Sequence, residues 1–186
     1  MIIIPILIMI LSLIVLAGWG LDIMSLTTLG MGGVTEKAFT ASMFVVSCLG
    51  VLFVRYSFAN YFFASILGAL CSLSLLVTDP FSAQDLPIDT VIFGVPSLGT
   101  ILMFAIIVYY LLMQAAHFKS SKSLGKTIAI VCSIVIIGHL IDQPYMYYYA
   151  DDISAGMAKS TAIKGILLGV YIYSLGMFNN NKEVLT

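Results

Sequence analysis

Four residues that follow apolar stretches carry side chains that could do chemistry. Trp19 and Asp22 belong to Gly-Trp-Gly-Leu-Asp at 18–22, and His139 and Asp142 hold the same places in Gly-His-Leu-Ile-Asp at 138–142. A carboxylate at membrane depth could bind a cation or relay protons, whereas at the membrane edge it would simply end a helix in water. His139 and Asp142 could share one helix face, where they could hold a ligand or sense external pH. All four are therefore candidate ligand-binding residues.

Lys164 is a charge within an otherwise apolar stretch, where two related segments have Met43 and Met103. A lysine near a helix end can extend its stem so that the ammonium reaches the membrane surface. We therefore expect Lys164 to extend to the outer surface. If it faces inward instead, it could pair with Asp142 or Asp152, or contact an anionic ligand.

Tyr145 begins the tyrosine-rich segment Tyr-Met-Tyr-Tyr-Tyr at 145–149. Tyrosine rings prefer the membrane–water interface, so an interfacial belt is the simpler interpretation and a tyrosine-lined ligand cup is the alternative. The sequence contains no recognisable nucleophile with a base, phosphate-binding loop or catalytic carboxylate pair. A zinc site would need three or four ligands, and no histidine cluster supplies them. We predict no enzyme activity, no metal site and no cofactor.

These residues lie in a threefold repeat of an apolar helix, a polar loop and a returning apolar helix. The return segments align on Thr40, Thr100 and Thr161, which are separated by 60 and 61 residues. A repeat of this length determines the architecture. The repeat predicts three tandem helical hairpins, at roughly 1–58, 59–119 and 120–180, related by a parallel pseudo-threefold axis along the membrane normal.

The composition indicates an integral membrane protein, because 61% of the residues are hydrophobic and only 9% are charged. Backbone amides in hydrocarbon need internal partners, so each apolar stretch should be a helix. We predict an all-α fold with six transmembrane helices in a single domain, 1–186. The first stretch has no basic segment before it, so we expect it to be retained rather than cleaved as a signal peptide. The predicted spans are Ile2–Gly18, Phe39–Val54, Tyr61–Val77, Val91–Met113, Thr127–Leu140 and Ala162–Met177.

The distribution of basic residues predicts the orientation. Lys119, Lys122 and Lys126 lie between the fourth and fifth spans, and Arg55 lies between the second and third. By the positive-inside rule both termini are cytoplasmic and the three long loops face outward. The three lysines are the candidate contact with a protein partner. A net charge of -1 argues against nucleic acid.

Three short motifs carry a family resemblance. The segment Leu-Ala-Gly-Trp-Gly-Leu-Asp-Ile at 16–23, followed by Thr40-Ala41, resembles the opening of the membrane-integral input domains at the N-termini of many bacterial sensor histidine kinases and diguanylate cyclases. Their return helix reads Met-x-x-x-Thr-Ala, which 157–162 fits, and 88–93 is similar to their Gly-Ile-Asp-x-Leu-Leu-Phe. The resemblance implies a six-helix sensory module in a bacterial inner membrane.

Two features depart from that pattern. Glu36 and Pro96 replace the methionine of the return-helix motif in the first two units. After Met177 the sequence has only a short polar tail and no output domain. The resemblance therefore implies either a fragment of a larger sensor or a free-standing relative that acts through a partner.

Three functional hypotheses follow from the sequence. The first is a non-enzymatic sensing or scaffold module in the membrane, acting through a protein partner or as an oligomer. The second is a small transporter or pore subunit in which His139, Asp142 and Lys164 line a polar path. The third is an accessory subunit of a larger membrane complex.

Overall fold

The computed structural model describes residues 2–31, 35–77, 96–117, 121–143 and 157–183, and every regular element in those ranges is a helix. The all-α prediction is therefore confirmed for the part of the chain that the structure describes. In chain order the helices are α1 (Ile3–Gly20), α2 (Met24–Thr27), α3 (Ala38–Leu52), α4 (Ser57–Val77), α5 (Leu98–Ala115), α6 (Ser121–Leu140) and α7 (Lys159–Glu183).

Five of these helices, α1, α4, α5, α6 and α7, are long and apolar enough to cross a membrane. The predicted second span corresponds to α3, which has 15 residues. At 1.5 Å per residue α3 is about 22 Å long, shorter than a hydrocarbon core of about 30 Å. The chain is thus compatible with a multi-pass membrane protein.

The observed helices differ from the predicted spans mainly at their polar ends. α6 begins at Ser121 rather than Thr127, and α7 runs from Lys159 to Glu183 rather than from Ala162 to Met177. Hydropathy detects only the apolar part of a helix, whereas backbone hydrogen bonding continues into polar flanks. The predicted start of the fourth span, at 91–95, lies outside the described residues.

The helices pack as antiparallel neighbours: α1 lies against α3, α4 against α5, and α6 against α7. We call the end where α1, α4 and α6 finish and α3, α5 and α7 begin the hairpin end of the bundle. The apolar windows of α1, α4 and α6 are each 28% buried, against 50% for α5 and 56% for α7. The return helices α5 and α7 are therefore more central, and α1, α4 and α6 are more peripheral.

Helices α1 and α6 end in the same backbone geometry. The N–H of Ile23 donates to the carbonyl of Gly18 at 2.8 Å, and the N–H of Gln143 donates to the carbonyl of Gly138 at 2.8 Å. The residue before each of these donors is left-handed, Asp22 at φ 56° and Asp142 at φ 52°. This is the Schellman arrangement, in which aspartate replaces the usual glycine.

Close approach between α6 and α7 depends on glycines. A Cβ atom built on Gly169 would lie 2.7 Å from the backbone nitrogen of Ala129 and 2.8 Å from the carbonyl oxygen of Gly125. The Gly165/Gly169 pair therefore packs within the bundle, as small residues spaced by four do in membrane helices.

Candidate functional site

The side chain of Lys164 faces the interior of the bundle, with 1% of its surface exposed. Its Nζ forms an ion pair with Oε1 of Glu36 and donates a hydrogen bond to Oγ of Ser12 at 3.1 Å. The expectation that Lys164 extends to the membrane surface is therefore wrong. The alternative inward orientation is correct, but the partner is Glu36 rather than Asp142.

The carboxylate of Glu36 is fully buried and satisfied on both oxygens. Its second oxygen, Oε2, accepts a hydrogen bond from Oγ of Ser160 at 2.7 Å. The backbone of Glu36 is also fixed, because its N–H donates to the Thr27 carbonyl at 3.1 Å and its carbonyl accepts from Trp19 Nε1 at 2.8 Å. The carboxylate thus projects inward from an anchored backbone.

An aromatic ring completes the surroundings of the ammonium. Nζ of Lys164 lies 4.9 Å from the centroid of the Phe44 ring. A cation within about 6 Å of an aromatic face is attracted by the ring quadrupole. Phe44 in turn packs edge-to-face on Phe104, with the ring centroids 5.0 Å apart. The cluster therefore joins residues of α1, α3 and α7 around one positive charge.

The cluster extends inward from the hairpin end, because Glu36 lies just before α3 and Ser160 lies in the first turn of α7, whereas Ser12 lies deeper. Ser12 precedes the last residue of α1 by eight positions, which corresponds to about 12 Å along the helix axis. Buried ion pairs gain little net stability, because the desolvation of both charges offsets their attraction. Losing one partner costs about 3–5 kcal/mol, since it leaves an uncompensated charge.

The repeat contains an apolar counterpart of this junction. In the repeat alignment Met103 corresponds to Lys164, because each follows its threonine, Thr100 or Thr161, at the same distance. Cys132 likewise corresponds to Ser12, because each precedes its glycine, Gly138 or Gly18, at the same distance. The thiol of Cys132 contacts Sδ of Met103 at 3.5 Å. The contact between Lys164 and Ser12 therefore repeats the contact between Met103 and Cys132 with polar groups.

Trp19 and His139 make matching hydrogen bonds at the hairpin end. Nε2 of His139 lies 2.8 Å from the carbonyl oxygen of Met157, and Met157 holds the same place before Thr161 as Glu36 does before Thr40. A ring nitrogen of Trp19 and one of His139 thus each make a hydrogen bond with a backbone carbonyl just before the return helix of the same hairpin. This geometry requires a proton on Nε2, which both the cation and one neutral tautomer of histidine supply.

The two aspartate candidates lie away from the ion pair. Asp22 and Asp142 are exposed and follow the ends of α1 and α6. Because α6 ends at Leu140, Asp142 is not on a helix face with His139. That part of the sequence interpretation is wrong, and the helix-ending interpretation fits both aspartates. A role in ligand binding for Trp19, Asp22, His139 or Asp142 stays a prediction.

Other candidates lie at the opposite end or outside the described residues. Lys122 is half-buried and Lys126 is exposed in the first turns of α6. Tyr145, Lys119 and Asp152 lie outside the described residues. Near the hairpin end, burial lowers the pKa of the Lys37 ammonium.

Glu36 is the functional candidate that the sequence interpretation missed. In the sequence Glu36 stands out only as a departure from the return-helix motif. Glu36 and Lys164 both break the repeat, and their charges are opposite. The positions that correspond to Glu36 hold Pro96 and Met157, and those that correspond to Lys164 hold Met43 and Met103. Two compensating departures of opposite sign were the available signal.

The described residues offer no group of three or more histidine, cysteine or acidic side chains that could hold a metal ion. Cys48, Cys71 and Cys132 are buried free thiols. Comparison of the chain with models of protein families, with curated proteins and with solved structures found no match.

We predict that methionine can replace the ion pair, but only at both positions together. Glu36→Met or Lys164→Met alone should lower the free energy of unfolding by about 3–5 kcal/mol, because each leaves a buried charge unpaired. The Glu36→Met/Lys164→Met double variant should recover most of this loss, because the repeat already holds buried methionine at corresponding positions 43, 103 and 157. Unfolding in lipid nanodiscs measures all three.

Lys37→Met is the matched control, since it removes a lysine next to Glu36 in the chain. Its side chain is half-buried, so we expect a change below about 1 kcal/mol. A double variant that loses as much stability as the two single variants combined would show no coupling energy, and it would contradict a buried pair.

Proposed function

We propose that this chain is a membrane-integral sensing or scaffold module, non-enzymatic, that receives its input at the hairpin end and acts through a protein partner. The observation that carries the proposal is the buried Glu36–Lys164 pair, which joins the first and last hairpins just inside the hairpin end. Ionisable groups at membrane depth are costly and usually functional. The resemblance to bacterial sensor input domains favours the same class.

The proposed topology has six crossings, with α3 as the short sixth span. Polar residues flanking α3 would then lie in the headgroup layer, as a short span requires. The hairpin end would face outward and both termini would be cytoplasmic, in a bacterial inner membrane. The distribution of lysine and arginine supports this orientation.

We further propose that the three hairpins form a closed ring with pseudo-threefold symmetry. The contacts between successive hairpins support it: α3 lies against α4, α5 against α6, and α7 against α1. Each contact would join the return helix of one hairpin to the outgoing helix of the next, a head-to-tail arrangement that closes. The α7–α1 contact is the closing one, and it alone of the three joins helices that are not consecutive along the chain.

The ion pair lies at this closing contact. Its two states, paired and unpaired, would give the bundle a bistable element of the kind that signalling requires. An input that separates the charges would loosen α7 from α1, and α7 leads directly to the cytoplasmic C-terminus of the proposed topology. Lys119, Lys122 and Lys126, which lie before and at the start of α6, would contact the partner protein on the same cytoplasmic side.

One experiment tests the partner claim with charge-neutralising variants. We expect native mass measurement of wild-type protein, extracted with its own lipids, to detect the chain together with a second protein. Changing Lys119, Lys122 and Lys126 to glutamine should remove that protein, because the cytoplasmic contact loses its charge. The control changes Lys37 and Lys159 to glutamine at the hairpin end and should retain it.

A solitary wild-type chain would contradict action through a partner. A large assembly that survives all the lysine changes would instead indicate an accessory subunit.

A transporter is the second candidate, because Glu36, Lys164 and two serines place polar groups at membrane depth. A transport path must be open to water from each side in turn, whereas a sensor needs access only from outside. The residue that distinguishes the two is Ser12, which contacts Lys164 from α1.

Ser12 is buried in the resting structure, so a cysteine there should react only when the ion pair opens. We therefore expect Ser12→Cys, in a chain with its three native cysteines changed to alanine, to react slowly with a membrane-impermeant thiol reagent, and from outside only. Mass spectrometry of oriented vesicles measures labelling from each side, and Ser72→Cys on the exposed face of α4 is the control for reagent entering through lipid. Labelling of residue 12 from both sides would favour the transporter and contradict a one-sided sensor.

A further inference from the structure

We propose that Glu36, Ser12 and Phe44 form a binding site for a primary ammonium group, which Lys164 fills in the resting state. A small primary amine, arriving from the hairpin end as its ammonium, would take the place of Lys164 and thereby be the signal. This inference rests on the proposed sensing function and names its ligand class.

The groups around Nζ of Lys164 match the chemistry of an ammonium ion. Oε1 of Glu36 supplies a negative charge, Oγ of Ser12 accepts a hydrogen bond at 3.1 Å, and the Phe44 ring centroid lies at 4.9 Å. An ammonium group has N–H donors and no acceptor, so two oxygen acceptors and an aromatic face suit it. The oxygens distinguish a primary ammonium from a quaternary one, which has no N–H to donate.

The carboxylate is the fixed part of the site and the ammonium is the exchangeable part. Glu36 is anchored through its backbone by Thr27 and Trp19, and through Oε2 by Ser160. Lys164 reaches the site on a flexible four-carbon stem. A competing ammonium would therefore find the acceptors already in place, and the Lys164 side chain would move aside.

Packing alone does not require charges at this junction. Met43 and Met103 are buried at the positions that correspond to Lys164, so the same fold accommodates an apolar side chain there. Buried ion pairs are seldom better for stability than apolar groups of similar volume. Binding of a cationic ligand, by contrast, requires a buried carboxylate whose resident partner can be displaced.

Competition from the tethered Lys164 determines the affinity. When the binding-competent state is only a fraction of the population, the apparent dissociation constant rises by the inverse of that fraction. Lys164→Ala removes the competitor and leaves room for three carbons and a nitrogen. We therefore expect n-propylammonium to bind this variant roughly tenfold or more tightly than it binds the wild type.

The experiment uses the full chain in lipid nanodiscs and n-propylammonium as the probe. We expect the probe to raise the unfolding temperature of Lys164→Ala in a saturable way, because binding to the folded state stabilises it. Tetramethylammonium at the same ionic strength should not do so, since it lacks N–H donors. The Glu36→Gln/Lys164→Ala variant should not respond to either cation, since its site has lost the negative charge.

Two results would overturn the proposal. The first is an equal response of Lys164→Ala to both cations, and the second is an unchanged response after Glu36→Gln.

Wild-type protein provides a test that does not depend on the folding of Lys164→Ala. In protein labelled with 15N-lysine, the Nζ resonance of Lys164 is identified by its absence from Lys164→Met. We expect n-propylammonium to shift this resonance toward that of a solvated lysine, and an unchanged signal at saturating probe would overturn the proposal. Failure here would leave the partner measurement standing, since that measurement involves no amine.

Discussion

Two opposite charges removed from water must remain together, and this constraint organises the centre of the molecule. Lys164 on α7 and Glu36 before α3 form a buried ion pair, and Ser12 on α1 and Ser160 on α7 satisfy their remaining groups. Separating either charge from its partner in a low-dielectric interior is far more costly than forming the pair is favourable. The pair therefore specifies which helices must be neighbours more than it adds stability.

The apolar contacts of the repeat show what this specificity adds. Met103 and Cys132 make the corresponding contact with sulfur atoms alone. The contact between Lys164 and Ser12 carries a further requirement, because the ammonium also needs the carboxylate of Glu36. Such a device would matter most in the proposed bundle of three similar hairpins, whose apolar surfaces would be nearly interchangeable.

The apolar pattern of the sequence predicted the all-α class and the position of the return helices. Alignment on Thr40, Thr100 and Thr161 identified segments that begin the return helices, and all three threonines are buried. The match of Trp19 to His139 also holds in structural terms, since each ring bonds the chain ahead of its return helix. Regular spacing records which positions face inward, so it predicts burial well.

The functional pair was less accessible to sequence reasoning, because Glu36 and Lys164 are 128 residues apart. Proximity in sequence favours Asp142 or Asp152 as the partner of Lys164, whereas the actual partner, Glu36, belongs to the first hairpin. The expectation of an extended Lys164 stem considered one helix alone, and tertiary burial overrides that preference. The start of α6 at Ser121 and the end of α7 at Glu183 differ from the predicted Thr127 and Met177 because hydrogen bonding, unlike hydropathy, does not stop at polar residues.

The most direct test of this account measures the contact between the two charged side chains. Solid-state NMR on protein labelled with 15N-lysine and 13C-glutamate, in lipid bilayers, reports dipolar coupling between Nζ of Lys164 and Cδ of Glu36. We predict a strong coupling, from a separation of about 4 Å or less, that disappears in Lys164→Met. An Nζ of Lys164 that couples to lipid phosphate and not to Glu36 would contradict the buried pair and the function built on it.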